Sequence, residues 1–380
     1  PDRKDFRSLP QLNSVSGVSF LDEQGQINFS RFGESISKED ISFPDYEILM
    51  SGLKGHPEEF PNYFKLASKS GYLNFNDQAQ KACEGKSIAS LFTTKGCVAK
   101  CAFCQRPTKG YKTMSLVRLD KHVIYLKNNH NVGLLKILDE NFGSDKRHAY
   151  QVAEIFDGHG MFWTAQGRFS SINEDDIAYY KSKGCVSIKF GVETGSQKML
   201  DIMEKRLKVG TARHSLSVCA ERNLYSPIAI LVGMPGEDNS TVKETGNLIG
   251  TIAAKIGVHP EIMGFEIFYP IPIKGSPLWE YGEYTGAISK DADKTDHFLM
   301  ELSYTSAYKR YYFNLNGAPD HEVLFWEYLL RFEASRVFRE NVNRTGNPVL
   351  KEKYIEHFQK EKSNNPRIGM NYRALKFMSI

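Results

Sequence analysis

Apolar segments rich in β-branched residues alternate with helical segments between residues 87 and 268, and this alternation constrains the fold most strongly. A strand, a helix and a second strand in succession favour parallel pairing with the helices outside the sheet. Six such units predict an α/β fold: an open partial (β/α)6 TIM-type barrel, short of the closed eightfold barrel. The predicted strands are residues 87–94, 133–138, 161–165, 185–190, 226–232 and 262–268.

The chain on either side of this alternation has a different pattern. Residues 15–28 predict two short strands around a turn. Residues 293–312 and 321–340 have helical spacing of apolar side chains and predict a C-terminal helical extension. A long helical stretch, broken near Gly210, is predicted over residues 196–223. The predicted organisation is a linker region over residues 1–85, a core domain over 86–285, and a C-terminal helical region with a tail over 286–380.

Composition and charge are those of an ordinary globular chain. The 380 residues are 41% hydrophobic and 25% charged, with a net charge of +4. A charge this small gives no clear indication of nucleic-acid binding, and the basic stretch after Arg344 is expected to be a solvated tail. No apolar run approaches ~18 residues, which predicts no membrane span.

Three cysteines in one loop, directly after the first predicted strand, indicate a metal centre. Cys97, Cys101 and Cys104 have the spacing C-x3-C-x2-C, with no fourth cysteine nearby. Four thiolates would complete the ligands of a 4Fe–4S cluster, so three would leave one iron open. A structural zinc site needs a fourth ligand, and that alternative stays open together with three buried thiols. The other cysteines, Cys83, Cys185 and Cys219, are expected to be buried thiols.

Polar residues and glycines also follow the later strands, where a parallel α/β barrel places its chemistry. Because the carboxyl ends of parallel strands share one edge, these residues are expected near the cysteine loop. Helix capping by an acid, a structural ion pair of Arg168 and a plain turn at residues 233–237 are the alternatives. The candidates are Asp139 and Glu140 after the second strand, Gln166 and Arg168 after the third, Glu193 and Ser196 after the fourth, and Gly233 and Pro235 after the fifth.

This combination resembles the radical S-adenosylmethionine (SAM) superfamily. The resemblance covers about residues 85–285 and rests on the cysteine loop with Phe103 before its third cysteine, on residues 191–196 (GVETGS) and on residues 233–237 (GMPGE). It implies a 4Fe–4S cluster held by the three cysteines, with the open iron chelating SAM. It also implies reductive cleavage of SAM to a 5′-deoxyadenosyl radical that abstracts hydrogen from a C–H bond.

The resemblance implies roles for the remaining candidates. Asp139 or Glu140 would meet the cationic groups of SAM, and Arg168 or Gln166 its carboxylate. Glu193 would contact the ribose hydroxyls with Ser196 beside it, and Gly233 and Pro235 would lie near the adenine. Residues 139–142 (DENF) depart from the family's Gly-Gly-Glu pattern.

That departure points toward the cobalamin-linked subgroup of the superfamily. Residues 17–20, 24–27 and 43–46 loosely resemble the linker that follows a cobalamin-binding domain, and residues 269–278 resemble the segment that closes the core. The subgroup implies cobalamin as a further cofactor and transfer of a methyl group to carbon. Its cobalamin domain would precede Pro1, so this chain is expected to be a fragment.

Other functions stay open. A methylthiotransferase-like enzyme would carry a second cysteine triad, whereas residues 1–85 contain only Cys83. A ring-forming radical enzyme and an iron–sulfur electron-transfer protein are further alternatives. The radical SAM interpretation implies a flavodoxin or ferredoxin as electron donor, a small-molecule or peptide substrate, and a reducing, cytoplasmic location.

Overall fold

The computed structural model describes residues 15–30 except 16 and 23, 41–52 except 42, 63–105, 110–304, 313–342 and 348–364. Near the N-terminus, β1 (Ser19–Leu21) and β2 (Ile27–Phe29) pair antiparallel in the predicted hairpin. The Asp22 carboxylate accepts hydrogen bonds from the backbone amides of Gln24 and Gln26, as turn aspartates do. The hairpin is thus confirmed.

The core is a six-stranded parallel sheet whose strand order follows the chain. Its first strand is β3 (Ser87–Leu91), after which β4 (Thr94–Gly96) and β5 (Tyr111–Thr113) form a separate antiparallel hairpin. The sheet continues through β6 (Val132–Ile137), β7 (Phe162–Gly167), β8 (Cys185–Glu193), β9 (Ile228–Leu231) and β10 (Phe265–Phe268). This sheet with its connecting helices is the predicted partial barrel, and a helical region follows it toward the C-terminus.

The helices of the core begin and end at residues suited to those positions. Asn173 and Asp238 each accept a hydrogen bond from a backbone amide of the first turn, completing capping boxes with Asp176 and Thr241. The helices are Tyr46–Gly52, Asp77–Ala82, Leu116–His130, Lys146–Gly158, Glu174–Ser182, Gln197–Ile202, Val209–Glu221, Asn239–Ile256, Pro260–Met263, Pro277–Tyr284, Ala292–Tyr304, Asp320–Asn341 and Pro348–Asn364.

The C-terminal helix Asp320–Asn341 packs against Asn239–Ile256 through two glycines. A Cβ atom at Gly246 would lie 2.7 Å from the Leu330 carbonyl oxygen, and one at Gly250 would lie 2.4 Å from the Ala334 carbonyl oxygen. Only glycine permits such an approach of the two backbones. The C-terminal region is therefore docked on the core, and the domain boundaries at residues 85 and 285 stay predictions.

Three sequence predictions need correction. The sixth strand begins at Phe265, because Pro260 and the His259 cap start a short helix at residues 260–263. The helical stretch after residue 196 is broken at residues 203–208, so Gly210 lies inside the second helix. Part of the expected tail is the helix Pro348–Asn364, whose Leu350, Tyr354 and Phe358 are buried.

The predicted helix over residues 293–312 is observed as Ala292–Tyr304, and residues 305–312 lie outside the described part of the chain. Among the helices that the structure describes, none combines the length and the apolar composition needed to cross a membrane.

Candidate active site

The cysteine loop is presented by the β4–β5 hairpin. Cys101 is buried, Cys97 is half-buried and Cys104 is exposed. Gly96, at the start of the loop, has a φ of 86°, and a Cβ atom there would lie 2.2 Å from the Gly110 carbonyl oxygen. The hairpin, which the sequence analysis missed, therefore fixes where the loop leaves the sheet.

Two distant segments tie the middle of the loop in place. The Ala102 amide donates to the Met203 carbonyl oxygen at 3.0 Å, and the Ala102 carbonyl accepts from the Leu278 amide at 2.9 Å. Phe103 packs against the buried apolar cluster that contains Met203 and Leu278. The thiols are therefore held by contacts made more than 100 residues away in the sequence.

One cavity of about 580 Å³ brings the loop together with several strand ends. It contains all three predicted cysteine ligands and five of the nine predicted cofactor-binding residues: Phe103, Glu140, Gln166, Arg168 and Glu193. Its remaining lining residues are Ala99, Gln105, Gly167, Lys189, Gly191, Lys205, Ala229 and Ile273. The structure therefore brings these eight predicted residues together in one pocket at the carboxyl ends of the strands.

Glu193, the last residue of β8, forms an ion pair with Lys205 inside the cavity. The Lys205 ammonium donates to Glu193 Oε1 at 2.5 Å, and both side chains are at most 10% exposed. Glu193 has a φ of 69° and follows a break in the β8–β9 register. Non-glycine residues in this left-handed region cluster at functional sites. The irregular strand end thus turns the carboxylate into the cavity.

Lys205 was not predicted, because it lies in a stretch that the sequence suggested to be helical. The chain leaves the helix Gln197–Ile202 there, and both neighbours of Lys205, Glu204 and Arg206, have a φ of 50°. The Lys205 amide donates to the Leu200 carbonyl oxygen at 2.9 Å. The resulting tight turn points the Lys205 ammonium at Glu193. The same ammonium lies 5.9 Å from the centre of the Phe103 ring.

Asp139 and Glu140 are separated by the fold despite being neighbours in sequence. Asp139 is fully buried and accepts hydrogen bonds from the Thr93 amide at 2.6 Å, from the Thr93 hydroxyl and from the Thr94 amide at 3.1 Å. Burial raises the pKa of Asp139. Asp139 therefore supports the start of the cysteine hairpin, and it is Glu140 that lines the cavity.

Gln166 lies beside Glu140 at the end of β7, where its amide nitrogen donates to the Asp139 carbonyl oxygen at 3.0 Å. Its partner on the neighbouring strand β8 is Lys189, which also lines the cavity and pairs with Glu266 at 2.6 Å. Strands β7 and β8 therefore each contribute a polar side chain, Gln166 and Lys189, to the cavity.

Ser196, Gly233 and Pro235 do not line this cavity. The buried Ser196 hydroxyl makes no hydrogen bond within the described residues. The Gly233 amide donates to the Glu237 carboxylate at 2.6 Å, inside the turn after β9. Burial raises the pKa of Glu237 to about 7. The contacts of Ser196, Gly233 and Pro235 with the nucleoside of SAM stay predictions. The hydrogen bond between Gly233 and Glu237 stabilises the turn after β9.

The three thiols form a donor set that fits an iron–sulfur cluster. Within the described parts of the chain, no group of three His, Cys, Asp or Glu side chains is arranged so that it could hold one metal ion. The three thiols share a cavity, where desolvation and, to a smaller extent, the proximity of the other two thiols raise the pKa of Cys104. A 4Fe–4S cluster takes its thiolates on different irons, so these residues fit it.

Comparison with known proteins finds one matching family model and several distant relatives. Residues 91–249 match the model of the radical SAM superfamily, as the sequence motifs indicated. An uncharacterised methyltransferase of Pyrococcus horikoshii is 24% identical over 52% of this chain and 42% of its own length. A cytidylyl-2-hydroxyethylphosphonate methyltransferase of Streptomyces wedmorensis is 24% identical over 63% of this chain and 44% of its own length.

A third relative, the anaerobic magnesium-protoporphyrin IX monomethyl ester cyclase of Cereibacter sphaeroides, is 21% identical over 52% of this chain and 32% of its own length. The chain thus spans less than half of the length of each of these relatives.

Two solved structures share the fold. The radical SAM methyltransferase TsrM of Kitasatospora setae, with tryptophan substrate and a SAM analogue bound, has a TM-score of 0.52 at 13% identity, over 74% of this chain and 62% of TsrM. The cobalamin-dependent SAM radical enzyme OxsB, with aqua-cobalamin and SAM bound, has a TM-score of 0.50 at 16% identity, over 95% of this chain and 48% of OxsB. Identities this low support the fold alone.

Proposed function

Residues 91–249 place this chain in the radical SAM superfamily, and on that premise we propose that it binds a 4Fe–4S cluster through Cys97, Cys101 and Cys104 and cleaves SAM reductively for C–H activation. One observation carries the proposal: the three thiols share a cavity with Glu140, Arg168 and the Glu193–Lys205 pair. The cluster, when bound, supplies the electron for this cleavage and an open iron for SAM. A flavodoxin or ferredoxin would deliver that electron.

The residues of the chain would bind and orient SAM around the thiols. Glu140 offers a carboxylate to the cationic groups of SAM, since its side chain lines the cavity. Glu193 accepts from the ribose hydroxyls with the oxygen that Lys205 does not occupy. Phe103 lies beneath Lys205 and gives the cavity an apolar wall. Enzymes of this kind leave the hard chemistry to the cofactor and use the protein for placement.

The finer proposal is cobalamin-dependent methylation of a substrate carbon. Two of the curated relatives are named methyltransferases, and the fold is that of TsrM and OxsB. SAM would then serve both as methyl donor and as radical source. The substrate, a small molecule or a peptide, would enter beside Lys189, Ala229 and Ile273, three of the lining residues to which no SAM contact is assigned.

Ring formation is the second candidate, because one relative is named a cyclase. The products separate the two reactions. Cobalamin-dependent methylation releases S-adenosylhomocysteine together with 5′-deoxyadenosine, whereas ring formation releases 5′-deoxyadenosine without S-adenosylhomocysteine.

The test is anaerobic reconstitution of the wild-type chain and of Cys97→Ala, Cys101→Ala and Cys104→Ala. We expect iron and sulfide in the wild type, and 5′-deoxyadenosine once dithionite and SAM are added. Each of the three variants should lose that product. Cys83→Ala is the matched control, because Cys83 is buried away from the cavity and its thiol meets the Gly133 carbonyl oxygen.

A wild-type chain that takes up zinc but no iron–sulfur cluster would refute the proposal. Cobalamin is tested separately by adding hydroxocobalamin to the reconstituted chain and recording its visible spectrum after gel filtration. If neither this chain nor a longer form of the protein retains cobalamin, the proposal of cobalamin-dependent methylation is refuted. The proposal of reductive SAM cleavage would still stand.

A further inference from the structure

Arg168, directly after β7, uses all three of its guanidinium nitrogens within the protein. Its Nη1 donates to Cys101 Sγ at 2.7 Å, its Nη2 donates to the Lys205 carbonyl oxygen, and its Nε donates to Ser170 Oγ at 3.3 Å. The planar, rigid fork of an arginine suits two partners on different segments. The side chain is therefore committed to bridging the cysteine loop and the Lys205 turn.

The thiol that Arg168 contacts is the most buried of the three. Cys101 is 5% exposed, whereas Cys97 is half-buried and Cys104 is exposed. A charge-assisted hydrogen bond is stronger where water is excluded. The nearby carboxylate of Glu193 is already paired with Lys205, so it does not compete for Arg168.

We propose that Arg168 is a positioning residue for the Cys101 ligand, and that it raises the reduction potential of the cluster. This inference rests on the proposed function, since it needs a cluster on Cys101. It differs from the role expected from the sequence, in which Arg168 would bind the carboxylate of SAM. Hydrogen bonds to the cysteine sulfurs and nearby charge are established determinants of iron–sulfur potentials.

The direction of the effect follows from electrostatics. Reduction adds negative charge to the cluster, and a guanidinium that donates to a ligand sulfur stabilises that charge. Removal of the guanidinium leaves the reduced state less stable, which shifts the midpoint potential to more negative values. The hydrogen bond to the Lys205 carbonyl oxygen holds the guanidinium in place. Substitution by glutamine removes the positive charge, whereas substitution by lysine keeps the charge and removes the forked geometry.

The experiment compares Arg168→Gln and Arg168→Lys with the wild type after anaerobic reconstitution. The midpoint potential is measured by a redox titration followed by electron paramagnetic resonance, and the SAM dissociation constant is measured by equilibrium binding. We expect a more negative potential in Arg168→Gln, an intermediate shift in Arg168→Lys, which keeps the charge without the fork, and an unchanged SAM dissociation constant in both. Arg222→Gln is the matched control, because Arg222 pairs with Glu174 at the surface and should change neither quantity.

A wild-type potential in both Arg168 variants would overturn the inference, and so would weakened SAM binding at an unchanged potential. Loss of cluster loading in Arg168→Gln, with loading and a lowered potential in Arg168→Lys, would support it. Absence of a cluster in the wild type would instead refute the proposed function, so the two failures are distinguishable.

Discussion

The Lys205 ammonium lies 2.5 Å from Glu193 Oε1 in the cavity that holds the three cysteine thiols. The two residues come from a strand end and from the turn after the next helix, and both are shielded from water. A buried pair costs desolvation, and breaking it by removing one partner leaves the other charge uncompensated. This relationship therefore supports both the fold around the site and the placement of Glu193.

Replacement of Lys205 tests the stability of the pair. We expect Lys205→Ala to lower the free energy of unfolding by about 3–5 kcal/mol, because the Glu193 carboxylate would remain buried and unpaired. Lys198→Ala, which removes a half-exposed lysine from its ion pair with Asp238, should cost only about 0–1 kcal/mol. Urea denaturation of the metal-free proteins measures both. Equal losses in the two variants would contradict the prediction.

Gly191 provides the space that the pair occupies. A Cβ atom at Gly191 would lie 2.5 Å from Glu193 Oε1 and 3.1 Å from Lys205 Nζ. Both atoms end flexible side chains, so we expect Gly191→Ala to displace the pair and weaken SAM binding while the chain still folds. Gly210→Ala, in a helix with open space around it, should leave SAM binding unchanged and stabilise the fold by about 0.5–1 kcal/mol. Unchanged SAM affinity in Gly191→Ala would argue against the assigned role of Glu193.

Asp139 and Glu140 predict opposite outcomes for neighbouring substitutions. Asp139→Ala should cost about 1–3 kcal/mol of folding stability, because the buried Thr93 and Thr94 amides would lose their acceptor. Glu140→Gln should leave stability unchanged and weaken SAM binding, since Glu140 lines the cavity. Thermal unfolding and equilibrium SAM binding separate the two effects. If the Asp139 variant weakened SAM binding and the Glu140 variant lowered stability, Asp139 would be the SAM contact instead.

Glu237 makes stability depend on pH. Its pKa is raised by burial from 4.5 to about 7, so the native state keeps a proton that the unfolded state loses as the pH rises between those values. The stabilisation is fully present below about pH 4.5 and is lost as the pH rises through about 7, with a total of about 3 kcal/mol. Glu237→Gln should remove this part of the pH dependence while still accepting from the Gly233 amide. Denaturation of both proteins across this range measures the difference, and parallel curves would refute the assignment.

Gly250 controls the docking of the C-terminal helix. A Cβ atom there would lie 2.4 Å from the Ala334 carbonyl oxygen and 2.8 Å from Val337 Cβ, so Gly250→Ala should cost about 1–3 kcal/mol through overpacking. Gly158→Ala has open space and serves as the control. If the two variants unfold at the same denaturant concentration, the close approach of the two helices is not important for stability.

The sequence predicted the site where chemistry and spacing coincide. The thiols of residues 97, 101 and 104 come from one loop, and Glu140, Arg168 and Glu193 each follow a strand of a regular repeat, so their convergence could be expected from the topology. Lys205 could not be found in this way, because its place depends on a turn with two left-handed residues. The different roles of Asp139 and Glu140 could not be predicted, because the pattern at a strand end does not indicate which carboxylate accepts hydrogen bonds from buried amides.

The sequence by itself predicted the partial barrel, the strand ends that carry the candidate residues and the motifs of the radical SAM superfamily, because these depend on periodicity and on spacing within short segments. The tertiary structure alone decided which groups meet: Lys205 with Glu193, Arg168 with Cys101, and the glycines of residues 246 and 250 with the C-terminal helix. Those contacts join segments far apart in the chain. Their geometry follows from packing and burial, which local pattern does not encode.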